Sequence, residues 1–326
     1  MVRFILFRLI QGIGLMFVIA ALVFFAVFLI GDPVELLINP EATQQDRQRA
    51  IERLGLDLPL WQQFLTYLGG LLQGDVGTSW VYNRPALEVM LERMPATLEL
   101  AIGAVLLSAL VGIPLGLYAG YRPNTYLSRG IMTGSIVGFS LPTFWVGIVF
   151  IVVFAVELDW FPVIGRGDTV EVFGVSTSLL TLDGLHHAAL PILTLALSRI
   201  SLVMRLVRSG TQEILGQDYV TLARAKGVPE RRILWRHVLP NLMIPLVTVL
   251  GLDFAGLLAF AIVTETIFSW PGMGKLIIDS IFSLDRPMIV AYLICVAALF
   301  VIANLIVDVL YGVLDPRISV ADRGRG

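Results

Sequence analysis

The chain has 326 residues, of which 57% are hydrophobic and 15% charged, and its mean hydropathy is +0.84. Soluble domains carry roughly 25% charged residues, so the composition excludes an ordinary soluble fold and specifies an integral membrane protein. The formal net charge of -2 says little, because in such a chain the placement of charge matters more than its sum. A single cysteine, Cys295, excludes a disulfide framework or a Cys-based zinc site.

Six apolar runs, near residues 9–31, 98–120, 130–156, 188–208, 239–263 and 288–312, are long enough to cross a hydrocarbon core of about 30 Å as helices. Their length and continuity rule out barrel strands, and backbone groups in lipid must be satisfied within the segment. The expected fold class is an all-α polytopic membrane protein with six transmembrane helices. Arg3 and Arg8 precede the first run, which is too long for a signal h-region. Gly31-Asp32-Pro33 also lacks a small-x-small cleavage site, so the run is expected to be a retained anchor.

Residues 32–97 form a mixed-charge segment with three expected short helices, a small helical insertion capping the outside of the bundle. The first, Asp46 to Leu54, stops at Gly55. The second starts at Pro59 and repeats Trp61, Phe64, Leu65, Leu68 and Leu72 at helical spacing. The third runs from Pro85 to Met94, with Pro95 as its stop. The chain is accordingly divided into 1–97 (first span and external segment), 98–312 (a five-helix core) and 313–326 (a tail).

Gly112, Gly116 and Gly120 in the second span, and Gly130, Gly134 and Gly138 in the third, are ladders that let helix backbones approach closely. Pro114 and Pro142 are candidate kinks. Arginines set the orientation. Arg122 and Arg129 follow the second span, and Arg205, Arg208, Arg224, Lys226, Arg231, Arg232 and Arg236 follow the fourth. Arg317, Arg323 and Arg325 lie in the tail, whereas the loop after the third span carries Glu157, Asp159, Asp168, Glu171 and Asp183 against Arg166. By the positive-inside rule both termini are cytoplasmic.

Polar groups at membrane depth face the bundle interior or a water-filled path. Asp253, Asn304 and Asp308 are the candidates, with Gln11 and Arg199 nearer the span ends. Asp253 either lines a substrate path or pairs with a neighbouring helix; both readings meet the same desolvation constraint.

Between the fourth and fifth spans the chain turns polar and basic. Asp218 is expected as an N-cap, the residues to Lys226 are helix formers, and Gly227 stands where a C′ glycine belongs. Pro229 then opens a second helix through Ile233 and Trp235 toward Leu239. Positive charge alone does not require a capped helix, a glycine stop and a second helix in that order. The knuckle therefore serves a partner that approaches from the cytoplasm.

Catalytic signatures are missing. His186 and His187 are adjacent and diverge on a helix, and His237 lies on the other side of the membrane. Pro271-Gly272-Met273-Gly274-Lys275 resembles the end of a phosphate loop, but Ser269 stands where its first glycine belongs and Leu276 follows the lysine. The expectation is a non-enzymatic protein that binds no cofactor, metal or nucleic acid and sits among membrane lipid.

These residues are similar to the inner-membrane permease subunit of bacterial ABC importers, and more narrowly to the first of two permeases in the dipeptide, oligopeptide and nickel group. The cytoplasmic loop of that family begins Glu-Ala-Ala, reaches a Gly and closes on Ile-x-Leu-Pro. Here the register falls on Thr221-Leu222-Ala223, Gly227 and His237-Val238-Leu239-Pro240, with Thr221 in place of the Glu and His237 in place of the Ile. Ala223-Arg224-Ala225-Lys226-Gly227 resembles the peptide group's own version. So do Leu54-Gly55-Leu56-Asp57, Gly74-Asp75-Val76-Gly77, Met94 to Leu100, Glu265 to Gly274 and Asp315-Pro316-Arg317.

The resemblance implies a type I importer permease fold, with Tyr219 to Lys226 as a coupling helix seated in a groove of an ATPase. Asp218, Tyr219, Thr221, Leu222, Ala223, Ala225, Lys226, Gly227, His237, Leu239 and Pro240 would be its coupling residues, and Tyr219, Leu222 and Ala223 its contact stripe. It also implies a heterodimer with a second permease, two cytoplasmic ATPase subunits that use ATP and Mg, and an external solute-binding protein. The setting is the bacterial inner membrane. Peptides are the expected substrate, nickel chelates or glutathione the alternatives. A self-sufficient secondary transporter is the reading from another class, against which stands the lack of an internal repeat.

Overall fold

The computed structural model describes residues 2–29 and 57–314, together with residues 45 and 48. The expected helix from Asp46 to Leu54, apart from residue 48, the Leu54-Gly55-Leu56 and Asp315-Pro316-Arg317 segments and the tail arginines lie outside the described residues. In chain order the elements are α1 (Val2–Leu29), α2 (Leu60–Leu72), α3 (Ala86–Tyr121), α4 (Tyr126–Ser140) and α5 (Thr143–Phe150), which continues as a π-helix (Ile151–Glu157). A hairpin follows, β1 (Val170–Val172) and β2 (Val175–Thr177). Then come α6 (Leu182–Leu215), α7 (Asp218–Ala225), α8 (Glu230–Ile233), a π-helical turn (Leu234–Val238), α9 (Leu239–Ile267), α10 (Met273–Phe282) and α11 (Arg286–Leu314).

Among the described residues five helices, α1, α3, α6, the run containing α8 and α9, and α11, are long and apolar enough to cross a membrane. The third expected span is α4 with α5 and its π-helical extension, and it is bent by 103°. The bend falls at Leu141-Pro142, as the proline there predicts: the residue before a proline is pushed out of the helical region, and Leu141 has φ -82 and ψ 132. Pro95 and Pro114 behave differently. The expected stop at Pro95 is wrong, because α3 runs through both prolines without a break. In a helix that enters a membrane, neighbouring segments and local adjustment re-satisfy the backbone groups that a proline frees.

The chain divides into two compact units. One comprises Leu6–Glu92 with Asp279–Leu299, the other Met1–Ile5, Arg93–Ile278 and Phe300–Gly326. In the first, α2 packs on α1 through aromatic side chains: Phe64 meets Phe17, Phe24 and Phe25, and Tyr67 meets Phe24. Only part of the expected stripe is used, since Trp61, Leu65 and Leu72 stay exposed. Burial pushes the Tyr67 hydroxyl up to about 12. In the same unit Asp285 accepts hydrogen bonds from Ser79 Oγ and from the Val81 amide, which ties the loop before α3 to the start of α11.

In the second unit the first glycine ladder works as expected, against α6. A Cβ at Gly112, Gly116 or Gly120 would stand 2.8, 2.7 or 2.6 Å from the Cβ of Val203, Val207 or Thr211. The pairing ascends together along both helices, so α3 and α6 run parallel. The intervening α4–α5 segment must return the chain, as a span of opposite direction would. Of the second ladder, Gly138 packs on Leu197 and Ser201, while Gly130 and Gly134 meet nothing.

The hairpin is a feature the all-α expectation lacked. Val172 pairs with Val175 across a two-residue turn, and both turn residues, Phe173 and Gly174, have positive φ, 51 and 79. That is the handedness that matches strand twist. Arg166 anchors it: its Nε and Nη2 donate to Glu99 Oε2 and Oε1 at 3.0 and 2.9 Å, and Nη2 also donates to the Ser176 carbonyl. The amide and hydroxyl of Ser178 complete the shell around Glu99 at 2.7 and 2.8 Å. His186 and His187 diverge as expected, toward the Trp160 and Asp183 carbonyls respectively.

At the same end of α3 a second carboxylate is enclosed. Glu265, fully buried near the end of α9, accepts from Thr97 Oγ1 at 2.7 Å and from the Lys275 amide at 2.9 Å. Thr97 Oγ1 in turn accepts from the Met273 amide, and Trp270 Nε1 donates to the Ala96 carbonyl, both at 2.8 Å. A Cβ on Gly272 or Gly274 would collide with Glu265. The glycines of the Pro271 to Lys275 run are thus needed to wrap a carboxylate of the chain's own α9.

Candidate functional site

The polar stretch between α6 and α9 folds as two short helices around a closed turn. The first, α7, starts one residue earlier than expected. Gln217, with φ -75 and ψ 148, is the N-cap and makes no side-chain capping bond, so Asp218 is the first helical residue. There its carboxylate faces the positive end of the helix dipole, which explains an acidic residue in that turn without a capping role.

The C-terminus closes as the glycine predicts. Gly227 has φ +76, its amide donates to the Arg224 carbonyl at 2.9 Å, and the Val228 amide donates to the Ala223 carbonyl at 3.1 Å. These two bonds form a Schellman motif. Nothing lies within 4 Å of where a Gly227 Cβ would stand, so the backbone angle, not crowding, demands the glycine. Lys226 is the C-cap. Pro229 is the N-cap of α8 and not its first residue, with ψ 142 still extended.

An ion pair braces the turn. Arg224 Nε donates to Glu230 Oε1 at 2.7 Å and Nη2 to Oε2 at 3.3 Å. Glu230 thereby holds the Arg224 guanidinium above the ordinary arginine value.

The faces of α7 divide cleanly. Val220 is fully buried in a cluster with Val203 and Val207 of α6, Ile233 of α8, Val238, and Leu242 and Leu246 of α9. Tyr219 and Leu222, 43% and 56% exposed, lie on the outer side with Asp218, Thr221, Ala225 and Lys226 also exposed, while Ala223 is half-buried. The stripe expected from spacing is therefore open to a partner, except at Ala223. The sequence reading missed Val220, although an apolar residue in an otherwise polar helix was the available signal.

His237, Leu239 and Pro240 lie where α8 passes into α9. The π-helical turn Leu234–Val238 sits immediately ahead of Pro240, whose ring and missing N–H deny the preceding turn a regular ladder. His237 packs its ring against Tyr219, with centroids 6.2 Å apart. Asn241, also missed, donates to the His237 carbonyl at 2.6 Å and to the Tyr219 hydroxyl at 3.4 Å. An open groove of about 350 Å³ lies beside these residues, lined by Gly210, Glu213, Ile214, Gln217, Tyr219, Asn241, Leu242 and Pro245.

Asp253 pairs with a neighbouring helix: its Oδ2 accepts from Arg199 Nε of α6 at 3.1 Å. Arg199 is near the middle of α6, as it is of the 188–208 run, which corrects its expected place nearer a span end. Asn304 donates to the Phe300 carbonyl of its own helix at 2.9 Å, and Asp308 is buried.

Comparison with known proteins bears on the whole chain. Residues 112–320 match the family model described as binding-protein-dependent transport system inner membrane component, and residues 1–101 match its N-terminal companion. The oligopeptide transport system permease protein AppB of Bacillus subtilis is 39% identical over 89% of this chain and 90% of its own length. The di/tripeptide transport system permease protein DppB of Pseudomonas aeruginosa is 39% identical over 98% of this chain and 99% of its own. The glutathione transport system permease protein GsiC of Salmonella choleraesuis is 38% identical over the same shares, 98% and 99%.

Among solved structures, an inward-facing MetNI methionine ABC transporter chain superposes with a TM-score of 0.56 at 17% identity, over 71% of this chain and 98% of that one, a likeness of fold. The matches by sequence, the knuckle with its closed glycine turn and the shared fold lead to one conclusion: the chain belongs to the binding-protein-dependent transport system inner membrane component family, the permease subunits of ABC importers.

Proposed function

We propose that this chain is one of two permeases of an ATP-driven importer of short peptides, coupled to separate ATPase subunits through α7. The observation that carries this reading is the division of α7. Val220 fixes the helix to α6 and α9, while Tyr219 and Leu222 project outward on a helix closed at Gly227. An amphipathic helix with its own anchor and a free apolar stripe suits a groove on a partner. Push on α7 is delivered to α9 through Val220, Ile233 and Val238, packed side chains that do not compress. ATP and Mg belong to the partner subunits in this reading, and a separate external binding protein delivers the solute.

The basic ends of α3 and α6, including Arg122 and Arg208, meet at the end of the bundle that carries α7. Together with Arg224, Arg231, Arg232 and Arg236, they support placing that end and both termini on the cytoplasmic side of a bacterial inner membrane. Short peptides are favoured as substrate because permeases named for oligopeptides and di/tripeptides are each 39% identical to this chain.

The test is reconstitution of this chain with its second permease, its ATPases and its binding protein in liposomes. ATP-dependent uptake of labelled di- and tripeptides is expected, with no uptake by this chain alone. A panel that includes glutathione decides the substrate. Uptake of solute without any ATPase would overturn the coupling and point to a secondary transporter.

A further inference from the structure

The Arg199–Asp253 pair occupies an unusual place. Asp253 is midway along α9 and Arg199 midway along α6, about 21 Å and about 25 Å from their helix ends by helical rise. The Arg199 and Asp253 side chains are 15% and 23% exposed respectively, so the pair is neither enclosed nor out at the membrane surface. It is joined by one hydrogen bond from Nε and not by a two-pronged clamp. Arg199 Nη1 turns instead to Ser198 Oγ at 2.9 Å. Charges partly open at that depth cannot face hydrocarbon, so the face they share opens onto water or a polar partner.

A second observation concerns the same face of α9. Gly256 is one turn from Asp253, and nothing stands within 4 Å of where its Cβ would be. Among the described residues the space over Gly256, on the face of α9 that carries Asp253, is open.

We infer that Arg199 and Asp253 form the point in the permease where a peptide is held by its two termini, the α-ammonium on Asp253 and the α-carboxylate on Arg199, with its first residues against Gly256. This rests on the peptide-importer reading above and names the chemistry by which the path recognises its substrate. At neutral pH an unmodified short peptide carries one charge of each sign. When it enters, each protein charge exchanges a protein partner for a substrate partner, and no charge is left alone at membrane depth. A solute with a single terminal charge leaves one protein charge unpaired, which is costly in a desolvated setting. The site reads ends and leaves side chains unread.

The test uses the assembled importer in proteoliposomes, loaded with its binding protein and labelled dialanine. Arg199→Gln with Asp253→Asn keeps an amide-to-amide bond between α6 and α9 but removes both charges, whereas Arg199→Lys keeps the charge. Uptake is expected to fall by about tenfold or more in the neutral pair, and by no more than about threefold in Arg199→Lys, as for a lost charge-assisted pair against a merely altered one. A second variant, Gly256→Leu, fills the open space without touching the pair and is expected to cut uptake about fivefold or more in complexes recovered in normal yield. It keeps the test decisive if the neutral pair fails to assemble.

If the neutral pair or Gly256→Leu, once assembled, takes up dialanine at the wild-type rate, the termini are not held here and the pair is only a brace between helices. If the wild-type importer takes up no peptide, the importer reading and this inference fall together.

Discussion

Thr97 Oγ1 donates a 2.7 Å hydrogen bond to Glu265 Oε1, and both residues are buried. This bond joins the start of the apolar part of α3 to the end of α9. The two stretches that carry it, Met94 to Leu100 and Glu265 to Gly274, resemble the same transporter family independently, and in the fold they are one structure. Removing a donor from a buried carboxylate leaves it under-satisfied. Thr97→Val is therefore expected to destabilise the detergent-solubilised protein by about 1–3 kcal/mol, with Thr97→Ser near wild type. Thermal unfolding followed by circular dichroism measures the difference.

Glu99 makes a second, separable test. Its carboxylate is paired with Arg166 and bonded by Ser178 in a site where the side chains are 7% and 12% exposed. Arg166→Met strands a buried charge, for which a loss of about 3–5 kcal/mol is expected. The double change Arg166→Met with Glu99→Gln should recover part of it. Unfolding midpoints of the parent and the two variants decide this; a single variant as stable as the parent would show that the hairpin anchor contributes nothing.

For α7, two neighbouring residues should separate stability from coupling. Val220→Ala removes buried methyl groups from the cluster and is expected to cost about 1–2 kcal/mol in thermal unfolding. Leu222→Ala, on the exposed side, should leave unfolding unchanged while lowering peptide-stimulated ATP hydrolysis in the assembled importer. Gly227→Ala puts a side chain at φ +76 and should cost about 1–2 kcal/mol, and Gly227→Asp should uncouple hydrolysis from uptake. Normal uptake by Gly227→Asp would remove the coupling role from this turn.

The two glycine ladders predict opposite behaviour. Gly116→Leu must force α3 away from Val207 and the Met204 carbonyl and is expected to prevent folding or cost several kcal/mol, on the order of an overpacked core. Gly134→Leu meets open space in this chain and should leave its stability unchanged. Expression and unfolding of the two variants provide the comparison.

Much of this was legible in the sequence for a physical reason. Spanning helices are set by a run of apolar residues against a fixed membrane thickness, and Gly227 by an angle that other residues resist, so neither depends on distant contacts. What could not be read depended on partners far along the chain. Pro95 looked like a stop because its missing N–H is a local fact, whereas the packing that carries α3 through it is not. Arg199 gained its partner only once α6 and α9 were set side by side. Val220 and Asn241 carry no motif and gain their roles only once α6, α7 and α9 are brought together. The β1–β2 hairpin is too short for its alternation to stand out against a helical background.

From Glu230 to Ile267 the chain follows one unbroken helical path, through α8, the π-helical turn and α9, about 55 Å by helical rise. At one end it is clamped to α7 by Ile233 and Val238, and at the other Glu265 is gripped by Thr97 and the amide of Lys275. A rod held at both ends, with its charged pair about 21 Å from the Ile267 end by helical rise, has no freedom to yield to a force on α7 except by pivoting. A sharp joint lies elsewhere, at the 103° bend between α4 and α5. Movement begun at the knuckle would therefore emerge as a tilt of the whole rod about its Glu265 grip, and Asp253, closer to that grip than to the knuckle, would travel less than α7 does.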